Sequence, residues 1–272
     1  MNGLAGINLN DLQSHTEILI TVGWMQRTAL FLALLIVVTA SFIGLGFLIE
    51  RTLSHRRIFA IALHPGQRAR ELRSTVRFQL IAALAFTGFI GADAVAWVSG
   101  WTAGVTTFLA CWIGFEIYYY ALHRLMHMRA LFQFHREHHQ SVINTPLTAF
   151  SMSVHESLGW LLGYVFVPVV MALLGVEVSL AGWLAYVVYN YWGNIIGHVN
   201  VEVLPRLVGK RVHSWALHAI TYHALHHARY AGHYSFGTTF MDRWFGSEWA
   251  DWPTLQAKVL SGEALTDRKE RG

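Results

Sequence analysis

Long apolar segments constrain this chain more than any other feature of its sequence. A helix needs about 20 apolar residues to cross the hydrocarbon core of a bilayer, and four or five segments meet that length. Only 13% of the residues are charged, against about 25% in soluble domains. The sequence therefore predicts an all-α, polytopic membrane helical bundle of four to five spans. The predicted spans are residues 28–49, 78–98, 102–122, 158–176 and 180–196.

Arginines in one connecting segment predict the orientation of this bundle. Seven arginines lie between Arg51 and Arg77, and basic loops stay on the cytoplasmic side of a membrane. The turns 97–101 and 173–178 lack Lys and Arg, so each is expected to join two helices as a tight hairpin. Counting spans from the basic loop places everything after His198 in the cytoplasm. The same arginines account for the net charge of +4, so nucleic acid is not expected as a partner.

Composition divides the chain into three regions. Residues 1–100 hold the first two spans and the basic loop, 101–250 hold the histidine-rich region, and 251–272 form a polar tail that we expect to be solvated. No basic residue precedes Arg27, which argues against a cleaved signal peptide. Residues 8–24 fit either an amphipathic interfacial helix or a disordered lead-in.

Histidine is unusually frequent, with 16 residues, as many as Asp and Glu together. Eight of them fall into three groups in which they are three or four residues apart, so that on a helix they share one face. Leaving so many imidazoles at a membrane boundary without a partner would be costly. The pattern therefore predicts a metal site. The groups are His123 and His127; His135, His138 and His139; and His223, His226 and His227.

The number of these histidines predicts two metal ions. Eight ligands are too many for one ion, since a zinc site takes four, whereas two ions with four or five ligands each fit the count. His198, at the end of the fifth apolar segment, is a ninth candidate. The span count puts all of these groups on the cytoplasmic side, as a shared site requires. His155 and His218 are weaker candidates, and four others are interpreted as interfacial residues: His15, His55, His64 and His213.

Glu116 is an acidic residue predicted to lie inside a span. Positions 116, 120, 123 and 127 form one helix stripe, so Glu116 lies about two turns deeper in the membrane than His123. A carboxylate at that depth is costly and is a functional hypothesis by default. We treat it as a candidate catalytic residue with two possible roles. It could orient a ligand imidazole, which we favour, or it could contact a polar group of a substrate.

The histidine motifs resemble those of the fatty acid hydroxylase/sterol desaturase superfamily. The motifs HRLMH, HREHH and HALHH occur in that order, with Asn194 and Gly197-His198 before the last of them. Residues 234–246 look like the closing signature of that family, and Val154-His155-Glu156 occupies the place of a His-Pro-x-Glu-like turn. The resemblance covers roughly residues 105–250. The sequence departs from the family pattern in lacking Pro after His155, and in having His233 in place of Asn and Ser247 in place of Thr.

The resemblance implies a helical membrane base capped by a cytoplasmic, histidine-lined di-metal site. Members use two iron ions and O2, although such sites can take up zinc in preparations. Imidazole alone does not select the metal, but zinc is redox-inert and cannot support oxidation of an aliphatic C–H bond. The expected reaction is hydroxylation of a sterol, fatty acyl or related lipid from the bilayer. The chain carries no haem, flavin or ferredoxin motif, so a separate electron donor, ferredoxin-like or cytochrome-like, is expected.

Several alternatives remain open or are disfavoured by the sequence. A desaturase would use the same centre, and the residues do not distinguish it from a hydroxylase. A metal transporter would carry ionisable residues near the middle of several spans, whereas here they gather at the cytoplasmic ends. The HExxH motif of a membrane zinc protease is absent, and Cys111 is the only cysteine, which excludes a CxxC metal site and an intrachain disulfide.

Overall fold

The computed structural model describes residues 18–205 and 219–272. This part of the chain is helical and contains no strand, only isolated bridges between single residues. The helices are α1 (Trp24–Thr52), α2 (Gln67–Gly91), α3 (Trp101–Met126), α4 (Phe132–His139), α5 (Val154–Leu173), α6 (Leu180–Gly197), α7 (Ile220–Arg229), α8 (Phe240–Trp244) and α9 (Trp252–Leu260), with short 3-10 turns at Ser54–Arg56 and Pro146–Phe150.

Four of these helices, α1, α2, α3 and α5, are long and apolar enough to cross a membrane. The prediction of an all-α membrane bundle is therefore confirmed. The predicted fifth span becomes α6, which has 18 residues but is not among those four. Helix α6 carries Asn190 and Asn194 together with several tyrosines and tryptophans.

The second predicted span, 78–98, was placed too far along the chain. Helix α2 runs from Gln67 to Gly91, so Arg68, Arg70, Arg73 and Arg77 lie in the helix rather than in a loop. The prediction left out the first turns of α2 because they are polar. Glu71 and Ser74 in these turns are nevertheless buried against the rest of the protein. Polar residues thus form the first two turns of α2 because they have internal partners.

The helices of the bundle pack through aromatic side chains. Helix α1 packs on α2 and α6, and α3 packs on α5 and α6. Phe86 and Trp183 meet edge to face with ring centroids 5.1 Å apart, and both are fully buried. Large apolar residues such as Ile113 and Leu162 point outward and are more than half exposed, as expected of helices that face lipid.

One close approach fixes the spacing of α3 and α6. A Cβ atom added at Gly182 would lie 2.3 Å from the backbone oxygen of Gly104. Small residues allow membrane helices to bring their backbones this near. Glycine is therefore required at position 182 for the observed packing.

A second apolar core lies outside the bundle and forms a cap. It joins α7 and α9 to the segment after α1 and includes Ile58, Tyr222, Leu225 and Val259. The tail 251–272 belongs to this core, since Trp252, Leu255, Val259 and Leu265 are almost fully buried. The expectation of a solvated tail was wrong, because its apolar residues recur on one face of α9.

Some sequence-based expectations fall outside the described residues. They concern His15, His213 and His218, together with residues 8–17 of the N-terminal segment.

Candidate metal centre

All nine histidines predicted as ligands lie together, in two adjoining groups. In each group one ring nitrogen from every residue lies within 4.8 Å of the others. Eight of the nine side chains are buried, and His127 is partly buried. Group A is His123, His127, His135, His139 and His226; group B is His138, His198, His223 and His227.

Four helices bring these side chains to one end of the bundle. The last turn of α3 and its end carry His123 and His127, and His198 directly follows α6. The short helix α4 carries one HxxHH motif, and α7 carries the other. In both motifs the two adjacent histidines point to different groups, since adjacent positions lie on different sides of a helix. Each motif therefore contributes to both groups.

Backbone carbonyls hold most of the imidazoles through their Nδ1 atoms. Because a carbonyl can only accept a hydrogen bond, it fixes the proton on Nδ1 and leaves Nε2 with a free lone pair. The carbonyl partners are Tyr234 for His123 (2.8 Å), Ser151 for His138 (3.2 Å), Asn194 for His198 (2.6 Å), Gly232 for His226 (2.7 Å) and Ser141 for His227 (3.0 Å).

The Nε2 atoms face one another at distances that fit metal coordination. They are separated by 3.1 Å between His123 and His135, and by 3.0 Å between His198 and His223. Two Nε2 lone pairs cannot hydrogen-bond to each other. Nitrogens at about 2.0–2.1 Å from one cation would lie about 2.8–3.4 Å apart in octahedral or tetrahedral arrangements. The residues therefore fit a bound cation in each group.

Burial lowers the pKa of several of these histidines. It lowers the pKa of His127 to about 2 and that of His226 to about 3, and the neighbouring His226 lowers the pKa of His127 further. The pKa values of His138 and His139 are also held well below the usual value, first by burial and then by nearby imidazoles. A neutral imidazole is the form that binds a metal ion.

Glu156 is a residue of this site to which the sequence analysis assigned no role. Its Oε1 atom lies 2.7 Å from Nδ1 of His135, and the same oxygen accepts a hydrogen bond from Trp160. Glu156 lies in the first turn of α5, where its backbone N–H donates to the side chain of the N-cap residue Ser153. The Ser-x-x-Glu pattern at a helix start was a local signal of that placement.

Glu116 lies apart from the imidazoles. Its carboxylate accepts hydrogen bonds from the backbone N–H of Gly237 (2.9 Å) and the hydroxyl of Thr238 (3.2 Å). These residues follow Tyr234, whose carbonyl holds His123. The observed contacts therefore tie Glu116 to the segment after α7 rather than to a ligand ring, and its catalytic role stays a prediction.

Two further histidines have structural surroundings. His155 is exposed, packs beside the ring of Phe134 and belongs to neither group. His233 is buried and has a positive φ of 57°, a conformation that Asn also tolerates. Its ring stacks on Tyr222 at 3.5 Å and accepts a hydrogen bond from the backbone of Trp249. His233 thus links α7 to the segment before α9 within the cap.

A narrow cavity extends from group B into the bundle. It has a volume of ≈ 20 Å³, enough for about one or two water molecules. Its wall is mostly apolar and aromatic, and its far end carries a hydrogen-bonded pair, Tyr164 and Asn190. A smaller adjoining cavity reaches His198 and His223. The lining of the first cavity includes Phe115, Tyr119, His138, Phe150, Trp160 and Phe236.

The family model described as fatty acid hydroxylase matches residues 108–247, just over half of the 272 residues. No solved structure gives a significant match.

Curated relatives match the same part of the chain. The chain is 26% identical to very-long-chain aldehyde decarbonylase CER1 of Arabidopsis thaliana, over 56% of this chain and 25% of that protein. It is 27% identical to very-long-chain aldehyde decarbonylase GL1-7 of Oryza sativa subsp. japonica, over 56% of this chain and 24% of that protein. The match thus covers about a quarter of each relative.

Proposed function

The chain belongs to the fatty acid hydroxylase family, and we propose that it is an O2-dependent membrane oxidoreductase that oxidises a lipid at a two-iron centre. The observation that carries this proposal is the convergence of two sets of Nε2 lone pairs, five in group A and four in group B. Nine imidazoles match the ligand count of two ions. Four helices of the chain can cross a membrane, so the centre lies at one end of a multi-pass bundle.

Iron would supply the redox chemistry with O2 that zinc cannot supply. The protein's part is to hold the ions and to orient the lipid. Carbonyls and Glu156 fix the imidazole rings, so little reorganisation is needed when a metal binds. The apolar cavity below group B supports entry of an aliphatic segment from the bundle side, although the helices must separate to admit a chain. Phe236 and Trp160 line that route.

Within this proposal we favour hydroxylation of an aliphatic carbon. A second candidate is a reaction on a long-chain aldehyde, and the names of the two plant relatives favour it. Desaturation at the same centre is the third. In each case we propose that a separate ferredoxin-like or cytochrome-like protein supplies electrons. We also propose that the centre faces the cytoplasm, because the arginines after α1 favour that side.

The test combines metal analysis with lipid profiling. The protein is expressed in a host without it, and membrane lipids are compared by mass spectrometry with those of cells expressing His138→Ala. The proposal expects about two iron ions per chain in the purified wild-type protein, and an oxidised lipid that the variant does not produce.

The mass of the product separates the three reactions. Addition of oxygen supports hydroxylation, loss of two hydrogens supports desaturation, and a shortened chain supports the aldehyde reaction. A protein that binds no iron or other redox-active metal would contradict the proposal. His155→Ala is the matched control, since His155 is exposed and lies outside both groups.

A further inference from the structure

Glu71 of α2 is a buried carboxylate with four hydrogen-bond donors and no direct contact to a histidine. Its side chain is completely buried. The donors are the amide of Gln67 and the hydroxyls of three residues in the segment between α4 and α5. Those hydroxyls belong to Ser141 (2.7 Å), Thr145 (2.7 Å) and Thr148 (2.8 Å). The carboxylate of Glu71 therefore accepts hydrogen bonds from three hydroxyls of one loop.

That loop, residues 141–151, holds group B. The carbonyl of Ser141 accepts from Nδ1 of His227, and the carbonyl of Ser151 accepts from Nδ1 of His138. The carbonyl of Ala149 accepts from the side chain of Asn194 at 2.8 Å. Asn194 in turn provides the carbonyl that holds His198. Three of the four imidazoles of group B thus depend on this loop, two directly and one through Asn194.

Group A is held by different parts of the chain. His123 is held by the carbonyl of Tyr234 and His226 by that of Gly232, both in the segment after α7. His135 is held by Glu156. None of these partners lies in the loop 141–151. The two groups therefore have separate supports, although α4 and α7 contribute ligands to both.

We propose that Glu71 is a positioning residue for the metal ion of group B and has little influence on that of group A. The inference rests on the proposed two-metal centre. Without the carboxylate, the hydroxyls of Ser141, Thr145 and Thr148 would be buried without their acceptor, which costs free energy. Removal of the carboxylate therefore rearranges the loop. Its carbonyls then no longer set the ring orientations of His138 and His227. Loss of a group that orients a ligand ring weakens metal binding by about 10–100-fold.

The experiment measures metal bound per chain in the purified full-length protein, loaded with iron and dialysed against a chelator series. Glu71→Leu removes all four acceptor contacts and is expected to lower retained iron from about two ions to about one. Glu71→Gln is expected to have a smaller effect, because three donors share Oε1 and only Thr145 contacts Oε2. Ser141→Ala removes one of these hydrogen bonds and leaves the carboxylate in place. It tests the proposal if Glu71→Leu fails to fold.

Double variants identify the ion that is lost. Glu71→Leu combined with His227→Ala should retain about one ion, because both changes act on group B. Glu71→Leu combined with His226→Ala should retain almost none, because the two groups are then both damaged. Thr87→Val on the same helix is the matched control, since Thr87 is buried and its hydroxyl has no hydrogen-bond partner in the described structure.

The outcomes separate this inference from the proposed function. Two ions retained by Glu71→Leu and Ser141→Ala would overturn the role of Glu71 and leave the two-metal centre intact. Equal loss from both groups would also overturn it, because a general structural role predicts that result. A wild-type protein that never holds two metal ions would overturn the proposed centre as well as this inference.

Discussion

Oε1 of Glu156 lies 2.7 Å from Nδ1 of His135, and both side chains are almost completely buried. The carboxylate holds the proton of His135 on Nδ1, so Nε2 is free to bind a metal. It also increases the basicity of the ring. In group A a side-chain carboxyl therefore holds His135, whereas backbone carbonyls hold His123 and His226.

Replacing Glu156 with Gln should weaken iron binding in group A. The amide keeps an acceptor oxygen but loses the charge, so we expect a loss in affinity of about tenfold or more. Titration against a chelator of known affinity measures it. Glu137→Gln is the control, because Glu137 pairs with Arg77 on the other side of α4 and should bind iron like the wild type. Equal affinities for the two variants would contradict the role given to Glu156.

Removing one ligand from either group should abolish turnover. His138→Ala and His226→Ala take one imidazole from group B and group A respectively, and both should lower bound iron while insertion into the membrane is kept. Elemental analysis measures bound iron, lipid profiling measures turnover, and membrane fractionation measures insertion. Full activity in both variants would remove these histidines from the centre.

Glu116→Gln should lower the rate while both ions stay bound. The carboxylate accepts from Gly237 and Thr238, so its loss loosens the segment that supports His123 and carries Phe236 of the cavity wall. A hydrogen bond to a charged group contributes about 1.5–3 kcal/mol, which corresponds to a rate decrease of about tenfold or more. Product formation and iron content are measured on the same sample. An unchanged rate would leave Glu116 with a structural role alone.

Gly182→Ala should destabilise the bundle, since the added Cβ would lie 2.3 Å from the oxygen of Gly104. Overpacking of this kind costs about 1–3 kcal/mol. The thermal unfolding midpoint in detergent should fall, whereas Gly44→Ala in α1, where a Cβ meets nothing within 4 Å, should leave it unchanged. Similar midpoints for the two variants would show that α3 and α6 are free to move apart.

Removal of metal should lower the thermal stability, and reloading should restore it. Nine imidazoles, eight of them buried, converge, and without cations their lone pairs oppose one another. A ligand that binds only the folded protein stabilises it by an amount that increases with the logarithm of its concentration divided by Kd. Melting curves before and after chelation measure the change. His226→Ala should show a smaller difference, and an identical midpoint for metal-free and loaded wild type would contradict the prediction.

Much of the centre could be predicted from sequence because its ligands follow helical spacing. His123 and His127 are four residues apart, and both HxxHH motifs lie on helices, so local periodicity placed the rings on common faces. The length of the apolar segments predicted α1, α3 and α5. His198 could be predicted because it follows an apolar segment that ends at the same side of the bundle.

The remainder depends on contacts between distant parts of the chain. The carbonyls that hold the rings are backbone atoms, and residue identity does not reveal them. Glu156 acts on a histidine 21 positions earlier, and Glu71 gathers hydroxyls more than 60 positions away. Helix α2 was placed late because its polar first turns find buried partners. The tail was misjudged from its polar composition, although Trp252, Leu255 and Val259 repeat at helical spacing.

The buried tail has a consequence for the order of assembly. Leu265 pairs with the segment after α1 through hydrogen bonds to Ile58 and Ala60, and three ligand histidines lie on α7 within the same cap. The ribosome must therefore release the chain through Leu265 before this contact can form and the cap can close beside the nine histidines. A metal ion that binds the completed site would enter only after that stage of synthesis.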